Sequence, residues 1–258
     1  MNPVVSIVTT CYNYARYIGD LAKSISKQGI PFEWIVVDDA SKDNPWKVLK
    51  PWADTMDLKF VQQPENKGYS VGKNVGIRMA RTDYVCMIDA DDVLLPDSLT
   101  SRYEALKARP GKLWVHAEAW DLMPSGRIEK PYPTNNRQRF QQFRAEGKDL
   151  DSWYTHRLIH AQTVMVRREF HERLGLYDES LRFSSDNEMW RRAIRFGVIP
   201  LYLEKAVSLY RVHAQRMSRS PYKKQRIAEA KKYIVDVVER RFIEGIHAGN
   251  TLTLEKVE

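Results

Sequence analysis

Three short, nearly uninterrupted apolar runs, each breaking off into polar or acidic residues, constrain this chain more than any other feature. Val4-Val5-Ser6-Ile7-Val8-Thr9-Thr10 runs into Cys11-Tyr12-Asn13. Glu33-Trp34-Ile35-Val36-Val37 runs into Asp38-Asp39, and Tyr84-Val85-Cys86-Met87-Ile88 into Asp89-Ala90-Asp91-Asp92. Short β-branched runs without alternation are how strands read when both faces are buried, as in a parallel sheet. Helical patterns separate them. Tyr14 to Lys27 sets Tyr17, Ile18, Leu21 and Ile25 on one face, and Ser70 to Ala80 carries Val71, Val75, Ile77 and Met79 at mixed helical spacing. Leu58 to Val61 supplies a further short strand. The alternation predicts an α/β sheet with crossover helices. Ligands of such sheets bind at the carboxyl ends of the strands, so Thr10, Asp38, Asp39, Asp89 and Asp91 are expected to converge in one crevice.

The second half reads differently. Leu113 to Leu122 and Ala161 to Val166 are strand-like, while Arg168 to Leu174 and Asp186 to Phe196 are helix-like. Residues 124–157 read as a polar loop with Arg137, Arg139, Arg144 and Lys148, and Tyr222 to Ile246 as a long terminal helix. The 258 residues suffice for a sizeable core without covalent staples. Two cysteines, Cys11 and Cys86, both inside apolar runs, exclude a disulfide scaffold and a Cys-rich zinc module and read as buried free thiols. No apolar stretch approaches the roughly 18 residues that span a bilayer. The start shows no basic region followed by a cleavage site, so a cytoplasmic setting is expected. Lys and Arg total 41 against 33 Asp and Glu, a net charge of +8. That excess suits an anionic partner such as a nucleotide, a nucleic acid or an acidic membrane, or serves solubility alone.

Each candidate site has a structural alternative. Asp89 and Asp91, two apart in extended backbone, would aim two carboxylates at one point, where a hard divalent cation relieves their repulsion. Ala90 between them leaves room for a ligand to approach the backbone. The alternative is that Asp91 or Asp92 caps a following helix. Asp38-Asp39-Ala40-Ser41 suits recognition of a base or ribose, or a helix cap in which Ser41 or Asp43 opens the helix. Asn66 to Gly76 superficially resembles a phosphate loop but has the wrong spacing, with Asn74 where Ser or Thr is needed. Lys73 there reaches a phosphate or lies on a solvated helix face. The first strand has no G-x-G-x-x-G, which disfavours a dinucleotide fold. Asp186, in Asp186-Asn187-Glu188, suits a general base or an acid complementing a helix dipole. His213 suits a metal or phosphate contact, or a structural role.

Taken in order, these segments resemble the family 2 glycosyltransferases of the GT-A fold, over residues 3 to about 218. The resemblance is carried by Val5 to Asn13, Val37 to Ser41, Asn66-Lys67-Gly68 with Lys73 to Ile77, and Ile88 to Asp92. It continues through Val166-Arg167-Arg168, Leu174 to Glu179, Asp186 to Arg192 and Tyr210 to His213. The fold it implies is a Rossmann-like, mainly parallel sheet flanked by helices, with a C-terminal helical extension. Residues 1–100 would form the nucleotide-sugar-binding half and 101–218 the acceptor-binding and catalytic half of one domain, with 219–258 as the extension.

The resemblance also implies roles. Thr10, Tyr12, Asp38 and Asp39 would hold the base and ribose, with Lys73 near the base or diphosphate. Asp89, Ala90 and Asp91 would be the DxD motif on the nucleotide-sugar. The metal, Mn²⁺ or Mg²⁺, would be held by Asp89, Asp91 and His213, with Asp91 the chief ligand. Asp186 would be the catalytic base. Two departures stand out: Ser185-Asp186 replaces the family's common Glu-Asp, and Arg216 stands where Asn is frequent. The implied reaction is inverting hexosyl or pentosyl transfer from a nucleoside diphosphate sugar, UDP being usual, to a hydroxyl. The acceptor would be a surface polysaccharide, a lipopolysaccharide or another glycan, free or lipid-linked. The basic terminal helix suits peripheral contact with an anionic membrane at its inner face. Rival readings are glycosylation of a hydroxylated base in viral DNA, and a non-catalytic module that binds nucleotide-sugar or nucleic acid. Oligomeric state is not encoded in any of these motifs.

Overall fold

The computed structural model describes residues 2–130, 159–181 and 184–214. The first part runs β1 (Val5–Cys11), α1 (Ala15–Ile25), β2 (Phe32–Asp38), α2 (Pro45–Ala53), β3 (Leu58–Gln62), α3 (Tyr69–Met79) and β4 (Tyr84–Met87). There follow β5 (Val93–Leu94), α4 (Ser98–Lys107), β6 (Trp114–Leu122), β7 (Ile128–Glu129) and β8 (Met165–Arg167). The described part closes with α5 (Arg168–Leu174), α6 (Ser185–Arg195) and β9 (Leu201–Arg211). The strands form one sheet in the order β3-β2-β1-β4-β8-β6-β9-β5, with β7 beside β6.

The four strands β3-β2-β1-β4 are parallel, as the unbroken apolar runs predict. Alternate residues of each run serve opposite faces. Ile7, Cys11, Trp34, Val36 and Cys86 pack toward Ile18, Leu21 and Ile25 of α1 and Leu49 of α2. Val8, Ile35, Val37, Val85 and Met87 pack toward Ile77 of α3, Phe170 of α5 and Trp190 of α6. Both cysteines are buried and free. The chain moves outward from β1 to β3, then returns across β1 to β4. Right-handed crossovers in opposite directions put their helices on opposite faces, which separates α3 from α1 and α2.

Two glycines let α3 lie close on β1. A Cβ on Gly76 would enter the space of the Val8 side chain, and one on Gly72 would stand 2.8 Å from Thr10 Cγ2. The glycines are four apart, so both share the helix face turned to the strand.

Beyond β4 the sheet becomes mixed: β8 is antiparallel to β4 and β6, β9 is parallel to β6, and β5 is antiparallel to β9. Trp114 stacks on Trp190 with centroids 4.9 Å apart and Phe170 5.7 Å from Trp114, filling the face beneath α5 and α6. The strand expected from Ala161 is corrected in part. Ala161–Thr163 forms a 3-10 turn before β8. The buried Arg102 donates to the carbonyls of Gln162 and Val164 at 3.2 Å, so a side chain takes acceptors that a ladder would use. The cap expected at Ser41 or Asp43 is corrected as well. Asn44 caps α2 by accepting from Lys47 N, with Pro45 at the first helical position. Asp43 instead accepts from Ala15 N at the start of α1, and Ser41 from Asn13 N. The terminal helix, the 219–258 extension, Arg216 and the Arg137, Arg139, Arg144 and Lys148 segment lie outside the described residues. Among the described residues no helix is long and apolar enough to cross a membrane.

The amino-terminal edge of the sheet is held by Glu33, which is fully buried. Its carboxylate accepts from Ser6 Oγ and Arg81 N at 2.6 Å, Arg81 Nε at 2.8 Å and Lys59 Nζ at 3.3 Å. Burial pushes this carboxyl up, but Ser6, Arg81 and Lys59 together outweigh it and hold it below its ordinary value of 4.5. The unfolded chain therefore takes up a proton before the native one, and Glu33 contributes stability above that value that is lost as pH falls through the native value.

Two outcomes are expected. Gly76→Ala should cost about 1–3 kcal/mol in urea unfolding by overpacking α3 against Val8, whereas Gly111→Ala, which meets nothing within 4 Å, should not. Glu33→Gln should lower stability at pH 7 and flatten the acid limb of the stability curve below about pH 4.5, read by chemical unfolding across a pH series.

Candidate active site

Residues from both halves gather at the carboxyl ends of β1, β2 and β4. The first anchor is Asp39, which is buried and ties the end of β2 to the start of α3. It accepts from Gln63 Nε2 and Lys67 N at 2.8 Å and from Gly68 N at 2.9 Å. Gly68 precedes α3 at φ +94, a conformation that favours glycine. Asp38 is fully buried and accepts from Gln62 Nε2 at 3.1 Å and Ser41 N at 3.3 Å. Asp38 thus closes the turn after β2, and Asp39 is the one facing the α3 end of the crevice. Thr10 lies under Gly72, and Tyr12, 44% exposed, stands at the rim.

The acidic centre differs in construction from the expected extended strand. β4 ends at Met87, and residues 89–92 turn, with Asp92 N donating to Asp89 O at 3.2 Å. Neither Asp91 nor Asp92 caps a helix, because β5 follows and α4 starts only behind Asp97. The turn brings carboxylate oxygens of Asp89, Asp91 and Asp92 within 4.8 Å of one another. Ala90 is buried in the core beneath them.

The turn is clasped by the end of β9. Arg211 donates from its backbone N to Asp92 Oδ1 at 2.9 Å and from Nε to Asp91 O at 2.8 Å. Its Nη2 reaches Asp20 at 2.8 Å. His213 Nε2 lies 2.9 Å from Asp91 Oδ2, while its ring packs on Tyr17 at 4.7 Å. His213 thus meets the acidic centre through Asp91.

α3 supplies the other wall. Tyr69 Oη donates to Asp89 Oδ1. One turn on, Lys73 pairs with Asp186 Oδ1 across 113 residues of sequence. Lys73 is buried, which overturns the solvated-face alternative. Asp186 sits in the first turn of α6 behind Ser184, whose φ is +61. Ser70 Oγ donates to Leu181 O at 2.7 Å. Asn74 brackets Tyr177, donating to its carbonyl at 2.8 Å and accepting from its N at 2.9 Å. Tyr69, Tyr177 and Arg211 lie inside segments that the sequence singles out, but no role is read for them there. The i to i+4 spacing of Tyr69 and Lys73 was the available signal for the first.

Crowding of like charge marks the centre. Burial first, then the charges of Asp91 and Asp186, push the Asp89 carboxyl up to about 6, against the opposing pull of Lys73 and Tyr69. Burial and the two neighbouring aspartates drive Asp92 well above the ordinary carboxylate range. Asp92 Oδ2 is buried with no hydrogen-bond partner among the described residues. Three converging carboxylates, one with an orphaned buried oxygen, fit a hard divalent cation.

With this geometry in place, comparison with known proteins gives a family. The model of "Glycosyl transferase family 2" matches residues 6–175. An uncharacterized glycosyltransferase of Rickettsia prowazekii is 26% identical over 222 residues, covering 85% of this chain and 67% of its own length. Among solved structures, a mannosyltransferase of Pyrobaculum calidifontis in complex with GDP-Man and Mn²⁺ superposes with a TM-score of 0.67 at 21% identity. That match covers 90% of this chain and 65% of the other. Staphylococcus aureus TarS 1–349 in complex with UDP-GlcNAc gives 0.66 at 19% identity, covering 85% and 61%. The chain thus spans about two thirds of the length of these relatives. The fold is the mixed, helix-flanked α/β sheet of the GT-A transferases.

The acidic centre predicts a measurable cation response. The folded state holds the Asp89 proton to about pH 6, so the contribution of Asp89 to metal-free stability falls as pH rises from about 4 to 6. Ligating carboxylates must be ionised. The thermal shift given by Mn²⁺ should therefore be larger at pH 7.5 than at pH 5, and Asp91→Asn should abolish it.

Proposed function

The chain belongs to glycosyl transferase family 2, and from that premise we propose that it moves a sugar from a nucleoside diphosphate sugar to an acceptor hydroxyl with inversion. The observation that carries this reading is the meeting of the Asp89-Asp91-Asp92 turn with Asp186 across Lys73, at the carboxyl ends of parallel strands. Donors of two solved relatives, UDP-GlcNAc and GDP-Man, fall in the proposed class, and one of those structures holds Mn²⁺. UDP is the proposed nucleotide. The proposed acceptor is a hydroxyl of a surface polysaccharide, lipopolysaccharide or other glycan.

The parts divide the work. Asp39, Thr10 and Tyr12 surround the place for base and ribose. Asp89 and Asp91, with Asp92 beside them, would hold Mn²⁺ or Mg²⁺. The cation, when bound, supplies positive charge against the diphosphate leaving group. His213 and Arg211 keep the Asp91 carboxylate and the turn in place from outside. Asp186, in part exposed, takes the proton from the acceptor hydroxyl as that oxygen attacks the anomeric carbon from the face opposite the diphosphate. Tyr69 fixes Asp89 so that it stays apart from Asp186.

A thermal-shift panel of UDP, GDP, dTDP and CMP with Mn²⁺, Mg²⁺ or EDTA tests the donor class. A ligand at 100 times its Kd adds about 2.7 kcal/mol. The expected result is stabilisation by UDP that requires the cation; no response to any nucleotide would count against a nucleoside diphosphate sugar as donor. Asp186→Asn should keep the nucleotide response and lose about 10²–10⁴-fold in turnover. Unchanged turnover in that variant would remove Asp186 from the role of base.

A further inference from the structure

Lys73 is placed to act on Asp186 rather than on the donor. Its side chain is 2% exposed, and its ammonium pairs with Asp186 Oδ1. The same nitrogen lies 3.9 Å from the Tyr69 ring centroid and 4.4 Å from that of Tyr177. Two ring faces and one carboxylate therefore enclose a single cation. Both rings are themselves fixed: Tyr69 by its hydroxyl on Asp89, Tyr177 by the two backbone bonds of Asn74. Aromatic faces stabilise an ammonium, and more so away from water. They leave it short of hydrogen-bond acceptors, since an ammonium has three donors. Asp186 supplies the acceptor and the countercharge.

We propose that Lys73 is the positioning residue of Asp186, holding the carboxylate of the base toward the crevice from within a tyrosine cage. The proposal rests on the reading of Asp186 as the base. The geometry supports it in three ways. Lys73 comes from α3, which Gly72 and Gly76 fix against β1, so the point of attachment is rigid. Asp186 lies only one residue into α6, behind a left-handed Ser184, where the helix itself restrains the side chain little. Ser70 and Asn74, on the same face of α3 as Lys73, grip Leu181 and Tyr177 of the same segment. The helix thus sets the segment by its backbone and the base by its side chain. Mutual dependence follows: removing Asp186 leaves the buried Lys73 ammonium without its partner, and removing Lys73 leaves Asp186 facing the charge of Asp89 without its countercharge, so either single loss is more costly than the pair's would suggest.

The test is a double-mutant cycle of Lys73→Met, Asp186→Asn and the pair together. In the ligand-free protein the urea midpoint losses of the two single variants should not add, and the double variant should be more stable than their sum predicts. In turnover, read as UDP release from UDP-GlcNAc and UDP-glucose with Mn²⁺, Lys73→Met should lower kcat about 10- to 100-fold. The Kd for UDP with Mn²⁺ should change less than about threefold, and the double variant should match Asp186→Asn. Lys73→Arg, which keeps the charge, should recover part of kcat, and Lys73→Gln serves if the Met variant does not fold. A loss of UDP affinity with kcat intact would overturn the proposal in favour of a diphosphate contact. Additive losses in both the stability and the turnover cycles would also overturn it. Full turnover in Asp186→Asn with a non-additive stability cycle would instead reject the base while leaving the pairing in place.

Discussion

The close approach of α3 to β1 is the constraint on which the rest of this structure depends. Gly72 and Gly76 remove the two side chains that would hold the helix away from Thr10 and Val8. With the helix seated, its other face becomes a row of buried polar groups: Ser70, Lys73 and Asn74. Buried polar groups need partners. All three find them in residues 177–186, more than a hundred positions away. A helix that carries no acid of the Asp89-Asp91-Asp92 cluster thereby sets the distance between that cluster and Asp186.

Electrostatics then shapes the crevice. Asp89, Asp91, Asp92 and Asp186 would repel one another if left alone. Lys73 pairs with Asp186 and its charge also acts on Asp89, Arg211 clasps the turn at Asp91 and Asp92, and His213 touches Asp91. Lys73 and Arg211 lie beside the carboxylates, and among the described residues Asp92 still keeps an orphaned oxygen. The arrangement fits a group of opposite charge arriving from outside, as a divalent cation does.

The two edges of the parallel strands show opposite treatments of buried charge. At the amino edge, Glu33 is fully provided with donors from Ser6, Lys59 and Arg81, which locks β1, β2, β3 and the entry to β4 together. At the carboxyl edge, carboxylates are crowded and less fully provided. Three non-glycine residues at positive φ, Asn13, Ala40 and Ser184, follow β1, follow β2 and precede Asp186, while Asn44 and Asp97 precede α2 and α4. Such conformations persist where surrounding structure enforces them.

The sequence by itself determined the parallel half of the sheet. Runs that are apolar on both faces and broken by helical patterns have few other ways to bury their surface, and β1, β2, β3 and β4 lie within one or two residues of the expected bounds. It also marked Asp39, Asp89, Asp91 and Asp186, because acids at the ends of buried strands and helices are conspicuous, and His213 through its segment's likeness to the family. Only the tertiary structure decided what those residues touch. Periodicity describes one element at a time, so it could not show that Arg102 takes the carbonyls of residues 162 and 164 and makes a turn where a strand was expected. Nor could it show that residues 89–92 turn instead of extending. The glycines at 72 and 76 read as a phosphate-loop likeness, since their meaning is a contact with Val8 and Thr10 that no local pattern contains. Lys73 on its own looked like a surface lysine. Its burial between two tyrosines and its pairing with Asp186 are long-range contacts, made only when the two halves close on α3.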